Sequence, residues 1–481
     1  MVNRQSTDAL DVVVIGAGPA GVLAALRAAE LGARTTLVTR EGFGGMAAGD
    51  GPVPVRTLAY AARLLRGVTD LGRYGIDVST PTLDYGRLLA RTKEVVDDVR
   101  EHSAFREHVD RLGVTLHERT GHAHFADPHT IETESGLRLH ADRVILCAGG
   151  RSRRLDVPGA EWTHTHSDAW SLKEVPGSMI VVGGGMTGVQ VASIFQTFGS
   201  RVSLFQSGPR ILAGEDEDVS AAVAAGFRAS GMVVREGFGT IDTITKTATG
   251  VRMAFSKAGV QDVAEAELVV VAVGWIADAD RLDLDVAGVG RNARGYVAVD
   301  EYMQTSVPHI FAAGDITGRW MLVPQAVHDG WIAATNAVRG RTRPVDEGVS
   351  PIGGFSEPEY ARVGLTESNA RRNHDVVVAR VRFSETTRTI IDGRTDGFCK
   401  LIVDRASHQV IGCSVVGDRA VEIVQVIAIL MSSKSRVEDL ARVSLSFPTY
   451  TGMLSRAAYR AAEQLGIDTN TWNQPGDAYG Q

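Results

Sequence analysis

The feature that most limits what this chain can fold into is a glycine pattern used twice. Residues 11–38 read DVVVIGAGPAGVLAALRAAELGARTTLV: an apolar strand at Val12–Ile15, a glycine-rich turn, an Ala/Leu-rich helix, then a second strand at Thr35–Val38. Gly16, Gly18 and Gly21 stand where a strand–turn–helix unit needs them. Gly16 makes the tight turn, Gly18 lets the backbone approach a pyrophosphate, and Gly21 lets the helix pack on the strand. The helix N-terminus then offers N–H groups and positive dipole to the phosphates. The arrangement returns in SMIVVGGGMTGVQVASIFQTFGSRVSLF, with Gly183, Gly185 and Gly188. Two dinucleotide sites in one polypeptide imply two cofactors that meet. A bound flavin beside an exchangeable nicotinamide is the common solution, because hydride transfer needs the rings face to face.

The rest of the chain leaves room for that reading. At 481 residues, it is long enough for about three domains. A net charge of -7 gives no bulk attraction to nucleic acid, and no apolar run approaches the roughly 18 residues of a membrane span. The opening MVNRQSTDALDVVVIG carries no secretory apolar segment. Cys147, Cys399 and Cys413 are too few and scattered for a disulfide framework or a zinc site. A cytoplasmic protein without metal is the expectation; His164 and His166, two apart with no acidic companion, read as loop residues.

HIFAAGDITG identifies the flavin half. A strand ending in small residues delivers Gly314 and Asp315, and a carboxylate there can accept hydrogen bonds from a polyol. With VILCAGGRSRRLDVPG, LVVVAVGWIADAD, FSEPEYARVGLTE and DGFCKLIVD following in order, the chain resembles the pyridine nucleotide-disulfide oxidoreductases, the group of dihydrolipoamide dehydrogenase, glutathione reductase and mercuric reductase. The resemblance runs from about Asp11 to about Gly466 and implies an α/β fold: two Rossmann-like dinucleotide-binding domains, for FAD and NAD(P), plus a C-terminal α+β dimerisation domain. The expected divisions are 1–155 for the first part of the FAD domain, 156–283 for the NAD(P) domain, 284–346 for a central segment completing the FAD site, 347–467 for dimerisation, and 468–481 for a tail. A homodimer follows.

Carried over by position, the resemblance puts Gly16, Gly18, Pro19, Ala20, Gly21, Thr39, Arg40, Gly45, Ala123, Ala148, Gly149, Gly314 and Asp315 around FAD. The helix beginning at Val323, Pro324, Gln325 and Ala326 aims its N-terminus at the flavin pyrimidine. Gly183, Gly185, Met186, Thr187, Gly188, Gln206, Ser207, Arg210 and Gly274 surround the nicotinamide coenzyme. One departure is Thr39, where the family carries the acid that binds the adenosine ribose; Glu41 is near but out of register. Another is Gln206, where an acid would hold the NAD ribose. With no acid there and Arg210 close by, the reading leans to NADPH over NADH. His328 and Asp329, on the helix after Pro324, are assigned to a surface or an interface.

The family's redox pair lies in C-x-x-x-x-C followed by x-P-x-K. Aligned on Pro54, this chain has Ala47, Pro52 and Arg56 at those cysteines and the lysine. Its H-P-T-x-x-E counterpart reads LSFPTYTGML, with Phe447 and Gly452 at the histidine and glutamate. Thiolate is the electron carrier in disulfide exchange, and neither alanine nor proline replaces it. The sequence therefore predicts that reduced flavin hands electrons directly to a small non-disulfide acceptor, with a quinone stacking near Ala47, Pro52 and Val55 as the leading candidate. Arg56, Asp50, Tyr450 and Gln190 are the candidate catalytic residues. Gln190, in place of the family's glutamate, and Arg56 make the flavin surroundings more positive and raise its potential. Two rivals stay open: a dehydrogenase or oxidase of a specialised metabolite, and a low-turnover flavoprotein used for binding or redox sensing.

Overall fold

The computed structural model describes residues 9–101, 104–346 and 348–469. Of the expected tail, residues 470–481 lie outside the described residues, as do the first eight of the chain. Among the described residues, no helix is long and apolar enough to cross a membrane.

Contacts gather the chain into two compact units, each built from separated stretches. The first holds, of the described residues, 9–58, 86–101, 104–153 and 274–346. Its centre is a five-stranded sheet in the order Ile310–Ala312, Arg143–Leu146, Asp11–Ile15, Arg34–Val38, Thr115–His117, all pairs parallel. Strands covered on both faces read as continuous apolar runs; Val12, Val13, Val14 and Ile15 are at most 5% exposed. The helix Pro19–Glu30 starts with proline at its first position, where a missing N–H costs nothing. It packs against the helix Val323–Arg339 through Ala20 and Gly330: a Cβ on Gly330 would stand 2.1 Å from the Ala20 carbonyl oxygen.

The second unit holds, of the described residues, 59–85, 154–273 and 348–469. One parallel sheet runs Val233–Glu236, Arg201–Gln206, Ser178–Val182, Leu268–Val271, His164–Thr165. Its companion is antiparallel, in the order Ile352–Gly354, Tyr360–Gly364, Val410–Val416, Phe398–Asp404, Val376–Arg382, backed by the helices Ala420–Ser432 and Gly452–Gln464 over one apolar core. The expected α/β fold with two nucleotide-binding sheets and a C-terminal α+β domain is therefore present.

The expected division of the chain needs correcting at three places. Residues 274–283 leave the nicotinamide region, because Trp275–Ala277 pairs antiparallel with Gly150–Ser152 in the first unit. Residues 59–85 belong with the second unit: Arg63 pairs with Asp418 at 3.2 Å, Arg66 with Glu357 at 3.1 Å, and the Tyr74 hydroxyl donates to the Ile391 carbonyl. The nicotinamide and dimerisation regions also share that one unit. Lys400, 1% exposed, lies 2.9 Å from Asp216, 2.8 Å from Asp218 and 3.3 Å from Glu367, joining the two regions.

Candidate functional site

In the first unit, three glycines shape the phosphate floor by different means. Gly16 has φ +105°, and a Cβ there would fall 2.2 Å from the Cys147 carbonyl oxygen. A Cβ on Gly21 would fall 1.7 Å from the Gly16 oxygen, so helix and turn touch only because both residues are bare. Gly18, capping the helix Pro19–Glu30, faces open space within 4 Å. The first two are closed by packing; the third is left for a ligand. Gly45 crosses this floor, with a Cβ position 2.7 Å from the Gly18 Cα.

Gly314 and Asp315 begin a short turn after Ile310–Ala312. Burial pushes the Asp315 carboxyl up to about 6, which marks an acid that has lost water without gaining a donor. At the head of the helix Val323–Arg339, Gln325 is 7% exposed and its Oε1 has no hydrogen-bond partner among the described residues. Buried oxygens are nearly always paired. An open pyrophosphate floor, a donor-poor acid and an orphaned amide oxygen at a helix N-terminus fit FAD: phosphates at Gly18, ribityl hydroxyls at Asp315, the pyrimidine edge at Gln325.

The surrounding turns use their own chemistry. Thr39, 6% exposed, spends its backbone on His117 and Thr120, and Arg40 pairs with Asp278 at 3.0 Å. Sequence reasoning missed Glu118, whose carboxylate accepts the Phe43 N–H at 2.8 Å and pairs with Arg106 at 2.7 Å, fixing the turn that carries Gly44 and Gly45. Only its place after a short strand could have signalled it. Ala123 is a buried strand residue of the core. Gly149 turns at φ +80°, beside Ala148. His328 is exposed, but Asp329 is buried and faces Arg319 at 3.7 Å, which corrects its surface assignment.

Where the family keeps its redox pair, Ala47 lies half-buried in the five-residue helix Gly45–Gly49, whose C-cap is Asp50. Pro52 is exposed at the start of the helix Pro52–Asp70, and Arg56 follows one turn later. No thiol of the chain substitutes. Cys147 is 6% exposed, Cys399 and Cys413 are 0%, and burial holds the Cys147 thiol well above its ordinary range. A thiol so held is not a nucleophile at neutral pH.

Two of the candidate catalytic residues are already occupied. The Tyr450 hydroxyl lies 3.0 Å from Asp392 and 3.1 Å from Asp418, and burial with these carboxylates pushes its ionisation far up. It anchors its own loop and is not a free polar group for an acceptor. Gln190 donates from Nε2 to the Met186 carbonyl and accepts the Phe355 N–H through Oε1, so it ties the nicotinamide helix to the following domain. Phe447 is 55% exposed.

The second glycine motif repeats the first. Gly183 has φ +109° with its Cβ position 2.3 Å from the Ala272 oxygen; Gly188 would clash with Gly183 at 1.7 Å; Gly185 faces open space. Met186 and Thr187 open the helix Met186–Phe198. Gln206 ends its strand, and Oε1 accepts the Gly184 N–H at 2.8 Å. Ser207 is exposed. Arg210 donates through Nη2 to the Ala213 and Glu215 carbonyls, so the cation expected beside the ribose is folded onto its own loop. Gly274, at φ +110°, accepts the Arg153 N–H through its carbonyl in the first unit.

Comparison with known proteins supplies the context. A family model described as pyridine nucleotide-disulphide oxidoreductase matches residues 10–330, and one described as its dimerisation domain matches residues 350–458. The dimerisation-domain match supports the expected homodimer. Dihydrolipoyl dehydrogenase of Vibrio cholerae is 30% identical over 459 residues, covering 93% of this chain and 94% of that protein. A dihydrolipoyl dehydrogenase of Bacillus subtilis is 29% identical over 461 residues, covering 93% and 98%. The HOCl-induced flavoprotein disulfide reductase RclA from Escherichia coli shares the fold, with a TM-score of 0.82 at 24% identity over 93% of this chain and 99% of that one. These likenesses overturn the expected hand-over of electrons to a quinone or other non-disulfide acceptor, and its two rivals with it: the relatives are named for dihydrolipoyl and disulfide chemistry. The quinone expectation rested on the residues standing at Ala47, Pro52 and Phe447 alone.

Proposed function

We infer that this chain, which belongs to the pyridine nucleotide-disulphide oxidoreductase family, is an FAD-dependent NAD(P)H oxidoreductase of disulfide–dithiol chemistry whose substrate brings the only reacting sulfur pair. The balanced reaction is NAD(P)H + H⁺ + RSSR giving NAD(P)⁺ + 2 RSH. One observation carries the reading: both nucleotide floors are complete, while Ala47 and Pro52 stand at the positions of the redox pair. FAD, when bound, supplies the two-electron carrier between coenzyme and sulfur.

The residues of the chain hold and orient. Bare backbone at Gly18 and Gly185 meets pyrophosphate, and the helices behind them add favourable dipole. Asp315 accepts from a sugar hydroxyl, and the first turn of the helix Val323–Arg339 supports negative charge at the ring it faces. Arg56 is the cation retained one turn beyond Pro52. The small side chain of Ala47 leaves the space that a resident sulfur would fill, and Pro52 adds no polar group there. Three free, buried thiols fit a reducing compartment such as the cytoplasm.

The test is anaerobic. Holoprotein bleached with NADPH or NADH should regain its flavin absorbance when lipoamide disulfide, glutathione disulfide or an aromatic disulfide is added. Prior treatment with iodoacetamide should leave that rate unchanged. Flavin that stays bleached with all three disulfides sinks the proposal, as does a rate abolished by alkylation.

A further inference from the structure

Resting on the NAD(P)H reading above, we propose that a cavity beside the nicotinamide motif receives the phosphate on the adenosine ribose, and that Lys257 with Gln206 makes this chain select NADPH. The cavity, of about 670 Å³, has Phe238 and Phe255 in its wall and three cations, Arg228, Arg235 and Lys257, around it. Gly237 also lines it and joins it to the end of the Arg201–Gln206 strand: the Gly237 N–H donates to the Gly208 carbonyl at 2.8 Å, and the Phe238 N–H donates to the Gln206 main-chain carbonyl at 3.4 Å.

Four particulars point to a phosphate instead of a bare ribose. First, Gln206 uses its acceptor oxygen on the Gly184 N–H, so its amide nitrogen is the end left to recognise a ligand. That nitrogen stands 2.8 Å from the Cβ position of Gly208. A donor suits phosphate oxygens; ribose hydroxyls, which need an acceptor, are poorly served. Second, the Lys257 ammonium lies 3.5 Å from the Cβ position of Gly237, over the same turn. Gly239 brings it there. At φ +100° its Cβ position falls 2.0 Å from the Ser256 oxygen and 3.0 Å from the Lys257 Cβ, so any side chain at 239 would push the strand end away.

Third, each of the cavity's two carboxylates is matched by one of its arginines, which leaves Lys257 as the unbalanced charge. Glu236 accepts the Ile211 N–H and pairs with Arg228 at 2.8 Å, and Asp262 pairs with Arg235 at 2.8 Å. Fourth, among the described residues no carboxylate forms an ion pair with Lys257, so its charge is available. An ammonium on a phosphate is a point-charge contact.

Calorimetry on the holoprotein tests this with 2′,5′-ADP and 5′-AMP, which differ only in the phosphate. The expected result is tighter binding of 2′,5′-ADP by about ten-fold or more, steeply weakened by salt. Lys257→Met should remove about ten-fold for 2′,5′-ADP and leave 5′-AMP alone. Gln206→Glu should invert the preference. Equal binding of the two probes by the parent protein, or a Lys257→Met variant that weakens both alike, overturns the proposal. Neither outcome touches the disulfide reading, which NADH-driven reoxidation would still test; nor would failure with disulfides alter the nucleotide affinities.

Discussion

Asp315, half-buried, and Lys400, fully buried, teach opposite lessons. The Asp315 carboxyl sits above its ordinary 3.8, near 6, because burial removed its water. An acid raised by folding costs stability once it ionises: the cost is absent below about pH 4, grows to about pH 6, and is complete above. Flavin-stripped Asp315→Asn should therefore match the parent in thermal midpoint at pH 4 and exceed it at pH 7.5. The same variant should bind FAD about ten-fold or more weaker, since a charge-assisted hydrogen bond contributes roughly 1.5–3 kcal/mol. Lys400 has its partners. Burial pushes Asp216 upward, but the N–H of Glu367 and the Lys400 ammonium outweigh it and hold the carboxyl low. Lys400→Met takes the cation from the buried Asp216, whose neighbours Asp218 and Glu367 keep Arg380 and Arg371, and should cost about 3–5 kcal/mol in urea unfolding. At this scale the glycines were legible in the sequence, because backbone geometry dictates them. The partners of Tyr450, Gln190 and Arg210 were not, because each depends on groups distant in the chain or on which way a side chain turns.

At the scale of elements, periodicity and glycine spacing marked both strand–turn–helix units and the helix at Val323. They could not show the helix Pro52–Asp70 changing allegiance partway, since that depends on ion pairs with residues more than 290 positions away, such as Arg66 with Glu357 and Arg63 with Asp418. The helix Met186–Phe198 touches its strand turn because Gly188 is bare. Gly188→Ala must part them. Purified Gly188→Ala should keep its flavin absorbance while the rate of bleaching by NADPH falls at least about ten-fold, followed by stopped flow; loss of flavin instead would mean the two floors are not separable.

For the whole molecule, the chain passes between its two units at residues 58, 85, 153, 273 and 346, so neither unit is a continuous piece that could be excised by one cut. Composition gave the class and the order of motifs gave the family; the interleaving came only with the structure. The C-terminal region keeps apolar residues on its surface, with Ile429 72% exposed and Ile390 56%. Covering them is what a second copy does. Ile429→Glu should shift the particle toward one chain when mass is read by light scattering, with helical content unchanged.

The floors at Gly18 and Gly185 are made of peptide groups, which every amino acid possesses, whereas a sulfur relay is a matter of two particular side chains. A single codon change can erase a cysteine, whereas of the twenty residues only proline removes a main-chain N–H. An architecture of that kind can keep its grip on a nucleotide whichever side chains stand where the reagents usually do.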